Sequence, residues 1–261
     1  MRLKIFQIDA FAENAFEGNP AAIIPLEEWL PDNTMQLIAQ ENNLAETAFY
    51  VSVEDGFHIR WFTPAAEVKL CGHATLASAF VLFTEFAHAA DKIIFNSLSG
   101  LLSVTRNGDL LTLDFPNQLP SRCEIPDELI QGLGVEPVGC LANDDYLAVL
   151  DDEESLLNLE PKPLHLEQLD RRGVIATAPS SQYDFVSRFF APKFDILEDP
   201  VTGSSFTHLI PYWANRLGKQ KMIAKQISPR GGIVHCELNQ DRVLIGGKGV
   251  KFLEGEIFLD D

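Results

Sequence analysis

The sequence predicts an α+β fold of two similar lobes, each a curved mixed β-sheet or barrel wrapped around a central α-helix. A short pattern occurs twice, as Arg60-Trp61-Phe62-Thr63-Pro64 and as Arg188-Phe189-Phe190-Ala191-Pro192. Each copy precedes a stretch that reads as a helix without charged residues, from Ala74 to Phe83 and from Phe206 to Ala214. A helix that is apolar on all sides must be buried on all sides. Since the flanking segments read as strands, we expect a sheet to enclose each helix.

The first half of the chain predicts strands around one surface helix and one buried helix. Runs rich in β-branched and aromatic residues predict strands, apolar residues three and four apart predict a helix, and Asn-Gly predicts a tight hairpin. These rules give strands at 3–8, Ala48 to Val53, Phe57 to Phe62 and over 92–115. They give turns at Asn19-Pro20 and, as a hairpin, at Asn107-Gly108. They give a helix at 33–42 with Met35, Ile38 and Ala39 on one face, and a second helix from about Gly72.

The second half partly repeats this pattern. The polar, proline-bearing stretch from Pro116 to Pro126 is the best candidate for a domain boundary. Beyond it the sequence predicts strands at Tyr146 to Leu150, Gly173 to Ala178 and Phe185 to Phe190, surface helices in the acidic stretches between them, a helix from Gly203 to about Arg216 with a kink or an early stop at Pro211, and strands from Ile233 to Leu259 with a turn at Gly246-Gly247-Lys248-Gly249.

Charge and composition exclude several classes of partner. The 261 residues are 46% hydrophobic and 22% charged, which is typical of a soluble globular protein with its own core. Lys and Arg number 20 against 38 Asp and Glu, giving a net charge of -18. A nucleic acid or an anionic membrane needs a positive protein surface. We therefore expect neither as a partner. A small anion could bind only where a local feature of the structure supplies positive charge.

The cysteines and the start of the chain favour a cytoplasmic protein. The four cysteines, at positions 71, 123, 140 and 236, form no CxxC pair and no zinc motif, so we expect reduced thiols and no metal site. The first residues alternate and include Asp9, as in a strand rather than a signal peptide. The longest uncharged apolar stretch, between His73 and Glu85, is too short to cross a bilayer.

The two helix starts supply the local positive charge that this acidic chain requires to bind an anion. A helix N-terminus presents unpaired N–H groups and a partial positive charge, which suit a carboxylate. Gly72 and Gly203 allow a ligand to approach the backbone closely. The side chains near these starts, with one carboxylate at the mouth of a strand, are candidates for proton transfer: Cys71, His73, Asp199, Ser204 and Glu46.

Each of these candidates also has a structural interpretation, and the residues alone do not decide between the two. Glu46 fits a solvated carboxylate at a strand end, Asp199 and Ser204 fit helix caps, and Cys71 fits a small buried residue. His73 fits a capping or packing residue. Nucleophile-elbow, Walker and dinucleotide motifs do not occur in the sequence.

Four motifs together resemble the phenazine biosynthesis PhzF-like family, which has the diaminopimelate epimerase-like fold. They are Gly18-Asn19-Pro20-Ala21-Ala22, Ala45-Glu46-Thr47-Ala48-Phe49, Phe62-Thr63-Pro64 leading into Cys71-Gly72-His73-Ala74-Thr75, and Glu198-Asp199-Pro200-Val201-Thr202-Gly203-Ser204. The resemblance implies a first lobe of 1–117 plus about 250–261, a second lobe of 118–249, and an active site in the cleft between them. It further implies a cofactor-independent isomerase that forms a homodimer.

The resemblance also implies roles for individual residues. Glu46 matches the general acid/base, while His73, Asp199 and Ser204 match residues that line the substrate and assist proton movement. Gly72, Gly203 and Asn19 are the expected substrate-binding residues, with Gly72 in backbone contact with a carboxylate. The related epimerases use two cysteines, one in each half, whereas this chain has Cys71 in one half and Asp199 in the other. That difference argues against two-thiol epimerisation.

Three functional hypotheses follow. The leading one is an isomerase that moves a carbon-bound proton on a small carboxylate substrate by general acid/base catalysis, without cofactor or metal. The second is an amino-acid racemase or epimerase that uses Cys71. The third is a carboxylate-binding protein that keeps the fold without catalysis.

Overall fold

The computed structural model describes residues 1–259. The described chain forms two compact units, the first made of Met1–Asp114 and residues 246–259, the second of Phe115–Ile245. The helices in chain order are α1 (Asp32–Asn42), α2 (Gly72–Thr84), α3 (Asp127–Leu133), α4 (Glu153–Leu157), α5 (Pro163–Leu166) and α6 (Phe206–Leu217). The strands are β1 (Arg2–Ala10), β2 (Asn19–Leu26), β3 (Glu46–Val53), β4 (Gly56–Phe62), β5 (Glu67–Val68), β6 (Lys92–Ser97), β7 (Gly100–Asn107), β8 (Leu110–Pro116), β9 (Ser121–Arg122), β10 (Gly139–Ala142), β11 (Tyr146–Val149), β12 (Val174–Pro179), β13 (Phe185–Phe190), β14 (Lys221–Gln226), β15 (Gly232–Asn239), β16 (Arg242–Gly247) and β17 (Gly249–Phe258).

In the first unit a mixed sheet surrounds α2. β1 pairs antiparallel with both β17 and β2, β2 pairs parallel with β3, β3 antiparallel with β4, β4 parallel with β6, and β6, β7 and β8 follow antiparallel. Helix α2 packs against β1, β2, β3, β7 and β17. Its side chains from His73 to Phe83 are buried except Phe80, as the uncharged sequence predicts. The buried hydroxyls of Thr75 and Ser78 donate to backbone carbonyls of α2 or its N-cap, so they add no unpaired polar group.

Helix α1 covers the outside of the first sheet. It lies between β2 and β3 in the chain and packs on β3 and β4. Met35, Ile38 and Ala39 form its buried face, as predicted from their spacing. They join a core cluster that includes Phe49 and Phe62, which fixes β3 and its first residue in place.

The second unit repeats the alternation of parallel and antiparallel strands. β11 pairs parallel with β12, β12 antiparallel with β13, β13 parallel with β14, and β14 antiparallel with β15. This is the order that β2, β3, β4, β6 and β7 follow in the first unit. Helix α6 lies between β13 and β14 in the chain, as α2 lies between β4 and β6, and Trp213 on α6 stacks on Phe185 of β13 at 5.3 Å. The predicted pair of similar lobes is therefore present.

The repeated arginines have the same role in both units. In the first unit, Arg60 of β4 donates two hydrogen bonds to Glu67, each 2.7 Å long. In the second unit, Arg188 of β13 donates two to Glu198, at 2.7 and 2.9 Å. Each pair ties a strand to the segment that leads into the central helix, at β5 in the first unit and at a loop in the second. The short sequence pattern thus marks a real structural repeat.

Pro211 does not end α6, in contrast to the early stop considered from the sequence. A proline inside a helix leaves the carbonyl four residues earlier without its helical partner. That carbonyl belongs to Thr207, and the backbone N–H of Gln118 donates to it at 2.9 Å. Since a neighbouring segment satisfies the freed group, α6 continues to Leu217. The helix itself begins at Phe206, after a 3-10 turn at Gly203–Ser205.

Two predicted turns are wrong. Asn19 begins β2 and pairs with Ala10, because the preceding residues make the turn with positive φ at Phe11, Phe16 and Gly18. The glycines around Lys248 do not make a turn either, since β16 ends at Gly247 and β17 begins at Gly249. There, Gly247 packs against the Phe11 ring, and a Cβ at this position would lie 2.3 Å from that ring.

Across residues 1–259, each helix is too short or too polar to cross a membrane.

Candidate active site

The first unit brings together Glu46 and His73, which are 27 residues apart in the sequence. Glu46 is the first residue of β3, and His73 lies in the first turn of α2, which packs on β3. Glu46 Oε2 lies 3.0 Å from His73 Nε2, and the two side chains are only 15% and 7% exposed. The strand end and the helix start therefore place a carboxylate and an imidazole in contact, away from most of the solvent.

Cys71 and Asn19 complete the surroundings of the His73 ring. Cys71 is the N-cap residue of α2, and its Sγ lies 3.6 Å from His73 Nδ1. The side-chain amide of Asn19, at the start of β2, lies 3.3 Å from the same Nδ1. Asn19, Cys71 and His73 are all buried. Asn19, Glu46 and His73, three of the residues that the sequence predicts, thus form one cluster around the imidazole.

Burial and the neighbouring groups change the proton affinity of His73. Burial alone would lower its pKa, but Cys71 and Glu46 outweigh that effect and raise the pKa well above its usual value. Burial raises the pKa of the Cys71 thiol, and the charge of Glu46 raises it further. Burial and Glu46 therefore favour the protonated thiol, and the negative charge near His73 favours the protonated imidazole.

The Glu46 carboxylate keeps one oxygen without a directed hydrogen bond. Oε2 is fully buried, and within residues 1–259 its close partner is the His73 ring, at 3.0 Å, without the geometry of a directed bond. The contact is thus an ion pair in which the imidazole is the close partner of this oxygen. An oxygen in this state can accept a proton from a bound molecule.

Helix α2 begins in this cluster. Its first residue is Gly72, and among residues 1–259 no side chain caps the helix with a hydrogen bond. The N–H groups of a first helical turn and the helix dipole attract anions. A carboxylate near Gly72 would therefore meet favourable electrostatics in an otherwise acidic protein.

The same cluster has the composition of a transition-metal site. Glu46, Cys71 and His73 each offer one ligand atom, and these atoms lie within 4.8 Å of one another. Zinc accepts carboxylate, thiolate and imidazole ligands. Metal binding requires a deprotonated thiol and a neutral imidazole, whereas burial and Glu46 favour the protonated thiol, and Cys71 and Glu46 favour the protonated imidazole. Binding of a metal here would therefore have to displace protons from the thiol and the imidazole.

In the second unit, Asp199, Gly203 and Ser204 lie around the start of α6. Asp199 Oδ2 accepts a hydrogen bond from Thr202 Oγ1 at 2.5 Å. The buried Gln226 donates to the Asp199 carbonyl at 2.7 Å and accepts from the Thr202 backbone N–H at 2.9 Å. This bracing holds the loop that carries Asp199 against the end of β14.

Ser204 is oriented by a pair of charged residues that the sequence analysis missed. Arg172 donates to Ser204 Oγ at 3.0 Å and makes two hydrogen bonds to Asp145, at 2.9 and 2.5 Å. Asp145 is completely buried, whereas the Arg172 side chain is 40% exposed. Arg172 can only donate, so Ser204 Oγ accepts from it and the hydroxyl hydrogen points elsewhere. Ser204 is thereby prepared to donate to a ligand.

A signal for this pair is present in the sequence. Asp145 directly precedes β11 and Arg172 closely precedes β12, and Tyr146 of β11 is in register with Val174 of β12. Adjacent parallel strands begin at the same edge of a sheet. An acidic residue before one strand and a basic residue before the next therefore predict an ion pair at that edge.

Comparison with known proteins identifies the family. Residues 8–255 match the family model PhzC-PhzF, described as phenazine biosynthesis-like protein. The chain belongs to this family. An uncharacterized isomerase of Pseudomonas aeruginosa is 49% identical over 259 residues, covering 99% of this chain and 100% of that protein. The resemblance in the four motifs is thus confirmed.

Solved structures of the PhzF family and of epimerases share the fold. A PhzF-family protein from Enterococcus faecalis has a TM-score of 0.98 at 47% identity, covering 99% of this chain and 100% of that chain. A hydroxyproline epimerase from Agrobacterium vitis has a TM-score of 0.65 at 10% identity, covering 100% of this chain and 93% of that chain. The first likeness confirms the PhzF fold, and the second shows that a hydroxyproline epimerase shares this fold. The chain is therefore a member of the phenazine biosynthesis-like family, which includes relatives named as isomerases, and it has the predicted α+β fold.

Proposed function

We propose that this chain is a cofactor-independent isomerase that moves a carbon-bound proton on a small carboxylate substrate, with Glu46 as general acid and base. The observation that carries the proposal is the buried contact of Glu46 Oε2 with His73 Nε2 at 3.0 Å. It combines a carboxylate oxygen that has no directed hydrogen bond with a nearby imidazole whose pKa is raised. The names of relatives support the general class, since several are called isomerases.

The proposed reaction uses each member of the cluster in turn. The substrate carboxylate binds at the start of α2, against the backbone of Gly72. Glu46 accepts the proton from a neighbouring carbon and becomes a neutral acid, while negative charge develops on the substrate. Protonated His73 stabilises that charge, and its Nδ1 faces Cys71 Sγ at 3.6 Å, which can accept from it. Glu46 then returns the proton to a second carbon, so the reaction consumes no cofactor.

The second unit contributes proposed substrate contacts of its own. Ser204 is braced by Arg172, so its hydroxyl is prepared to donate to a substrate oxygen. Asp199 is held through Thr202 and Gln226, and Gly203 begins the 3-10 turn at the start of α6. We propose Asp199 and Ser204 as residues that bind substrate and assist proton movement. The homodimer and the cytoplasmic location that the sequence analysis favours remain predictions.

Two features weigh against the racemase hypothesis based on Cys71. A thiol that acts as a base must first ionise, and both burial and Glu46 raise the pKa of Cys71. In the second half the counterpart of Cys71 is Asp199, and the N-cap of the 3-10 turn is Thr202, so neither position supplies a second thiol. Cys71 is better explained as a neutral partner of His73.

A deuterium-exchange experiment tests the proposal. The protein is incubated in D2O with a panel of small cyclic and amino carboxylates, and carbon-bound protons and new products are followed by NMR. We expect exchange or isomerisation of at least one compound by the wild type. We expect a loss of about 100-fold or more in Glu46→Gln, as for removal of a general acid/base. The control is Glu41→Gln, which changes an exposed glutamate of α1.

The outcomes separate the three hypotheses. Full activity of Glu46→Gln on a compound that the wild type converts would contradict the assigned mechanism. Loss of activity in Cys71→Ala, with deuterium entering at the carbon next to the carboxylate, would favour the racemase. A carboxylate that binds the wild type without exchange or conversion would favour a non-catalytic binding protein.

A further inference from the structure

Cys123 and Cys140 lie directly opposite each other across two antiparallel strands of the second unit. In the register of β9 and β10, Arg122 faces Leu141 and Ser121 faces Ala142, so the next position pairs Cys123 with Cys140. The backbone N–H of Cys123 donates to the carbonyl of Cys140 at 3.1 Å. The two sulfur atoms lie 3.3 Å apart. Two thiols 17 residues apart in the chain are thus in contact.

The geometry of this pair suits a disulfide. Opposite residues of a hydrogen-bonded antiparallel pair have Cα atoms about 5.5 Å apart. That distance falls within the range of about 4.4–6.8 Å found for disulfides. From 3.3 Å the two sulfur atoms have to approach by only roughly 1 Å to reach bonding distance. The backbone can therefore keep its pairing when the bond forms.

Exposure gives the two thiols different roles. Cys123 is exposed, so a reagent in solution can reach it, whereas Cys140 is buried. Burial, together with the hydrogen bond from Cys123, raises the pKa of Cys140 to about 12. Cys123 is therefore the thiol that reacts first, and Cys140 the thiol that resolves. The remaining cysteines, Cys71 and Cys236, are both buried and belong to different units.

We propose that Cys123 and Cys140 form a reversible oxidative-modification site, which reacts with a low-molecular-weight disulfide such as oxidised glutathione. The Cys123 thiolate attacks one sulfur of the reagent, the reagent S–S bond breaks, and one reagent thiol leaves. Cys140 loses its proton and attacks the sulfur of Cys123, and the second reagent thiol leaves. Two protein thiols are oxidised to one disulfide, and one reagent disulfide is reduced to two thiols. This site does not depend on the function proposed above.

The bond would act on a segment that contacts the start of α6, close to Ser204. The bond would close a loop from Cys123 to Cys140 that contains α3. It would also link the residue that follows β9 covalently to β10. Upstream in the same segment, Gln118 donates to Asp144 at 3.0 Å and accepts from Thr207 at 2.7 Å. Oxidation would therefore restrain the segment that supports the start of β11 and the first turn of α6.

The test is thiol counting and peptide mapping in glutathione redox buffers. We expect the folded wild type to fall from four free thiols to two as the buffer becomes more oxidising. The intact mass should drop by two hydrogen atoms, and a peptide joining Cys123 to Cys140 should appear. Reduced glutathione should reverse the change. Cys236→Ser is the matched control and should form the same bond.

Two further variants make the result decisive. Cys140→Ala should stop at a stable glutathione adduct on Cys123, because the resolving thiol is gone. Cys123→Ala should keep Cys140 reduced, since the buried thiol alone is not reached. The proposal is overturned if the folded wild type retains four thiols at excess oxidised glutathione, or if it accumulates the Cys123 adduct without the linked peptide.

Discussion

The ion pair of Arg172 and Asp145 should respond unequally to removal of its two members. Asp145 is completely buried, whereas Arg172 is 40% exposed. Replacing Arg172 by Ala leaves a buried carboxylate without its main partner, and breaking a buried pair in this way costs about 3–5 kcal/mol. Replacing Asp145 by Asn leaves a guanidinium that can turn toward solvent. That second change should cost only the charged hydrogen bonds, about 1.5–3 kcal/mol.

The assay is thermal unfolding at neutral pH, with urea unfolding as a second measurement. For a chain of this size, 1 kcal/mol corresponds to about 2–4 °C in Tm. Arg172→Ala should therefore lower Tm by roughly 6–20 °C, and Asp145→Asn by roughly 3–12 °C. The double variant should lose less stability than the two single variants added together, because it leaves neither an unpaired carboxylate nor an unpaired guanidinium.

Two results would refute this reasoning. One is an Asp145→Asn variant that is at least as unstable as Arg172→Ala, since burial would then not decide the cost. The other is strict additivity in the double variant, since the two side chains would then not interact. As a control, Lys219→Ala removes a cation that is 57% exposed, and its ion pair with Asp184 should contribute about 1 kcal/mol or less.

Three further predictions concern the first unit. Glu46→Gln should lower the pKa of His73, because it removes a charge that raises it; NMR titration of the imidazole protons measures this, and Glu41→Gln should leave the titration unchanged. Folding raises the pKa of His73, so protonation of His73 stabilises the folded state fully below pH about 6.5, and this stabilisation is lost as the pH rises through the folded-state pKa. The free energy of unfolding, measured in urea, should therefore vary less with pH in Glu46→Gln than in the wild type. Gly18→Ala should lower the free energy of unfolding by at least about 1–3 kcal/mol, because φ at this position is +67° and the new Cβ would lie 2.2 Å from the carbonyl oxygen of Ala10. Chemical unfolding measures this, and an unchanged midpoint would contradict it. Dialysis against EDTA should leave the exchange activity intact, and loss of activity with recovery on added zinc would overturn the metal-free mechanism.

The sequence alone predicts the central helices and the repeat. The uncharged stretch after Gly72 required burial on all sides, and α2 is buried along nearly its whole length. The two arginines in the repeated pattern occupy equivalent strands and make equivalent bidentate pairs. These features could be predicted because each depends on the local pattern of charge or hydrophobicity.

What the sequence analysis missed depends on contacts between distant residues. The continuation of α6 past Pro211 requires an N–H from Gln118, and no local pattern reveals that partner. The start of β2 at Asn19 depends on positive φ angles at Phe11 and Phe16, which residue preferences do not predict for phenylalanine.

In the candidate site, too, the sequence predicts the residues but not the contacts between them. The motifs identified Glu46 and His73, but the distance between them follows from the packing of α2 on β3. The contact between Cys123 and Cys140 was equally hidden, because their spacing of 17 residues matches no cysteine motif. It follows only from the register of two short strands.

The pairing of β17 with β1 determines the order in which the chain can mature on the ribosome. The second unit is continuous, from Phe115 to Ile245, so all its residues have been synthesised before β17 exists. The first unit draws strands from both ends of the sequence, and β1 lacks one neighbour until residues 249–258 emerge. Until then, β1 presents an open edge to other chains in the cell. The half of the protein that is translated first is therefore completed last, opposite to the usual N-terminal-first order.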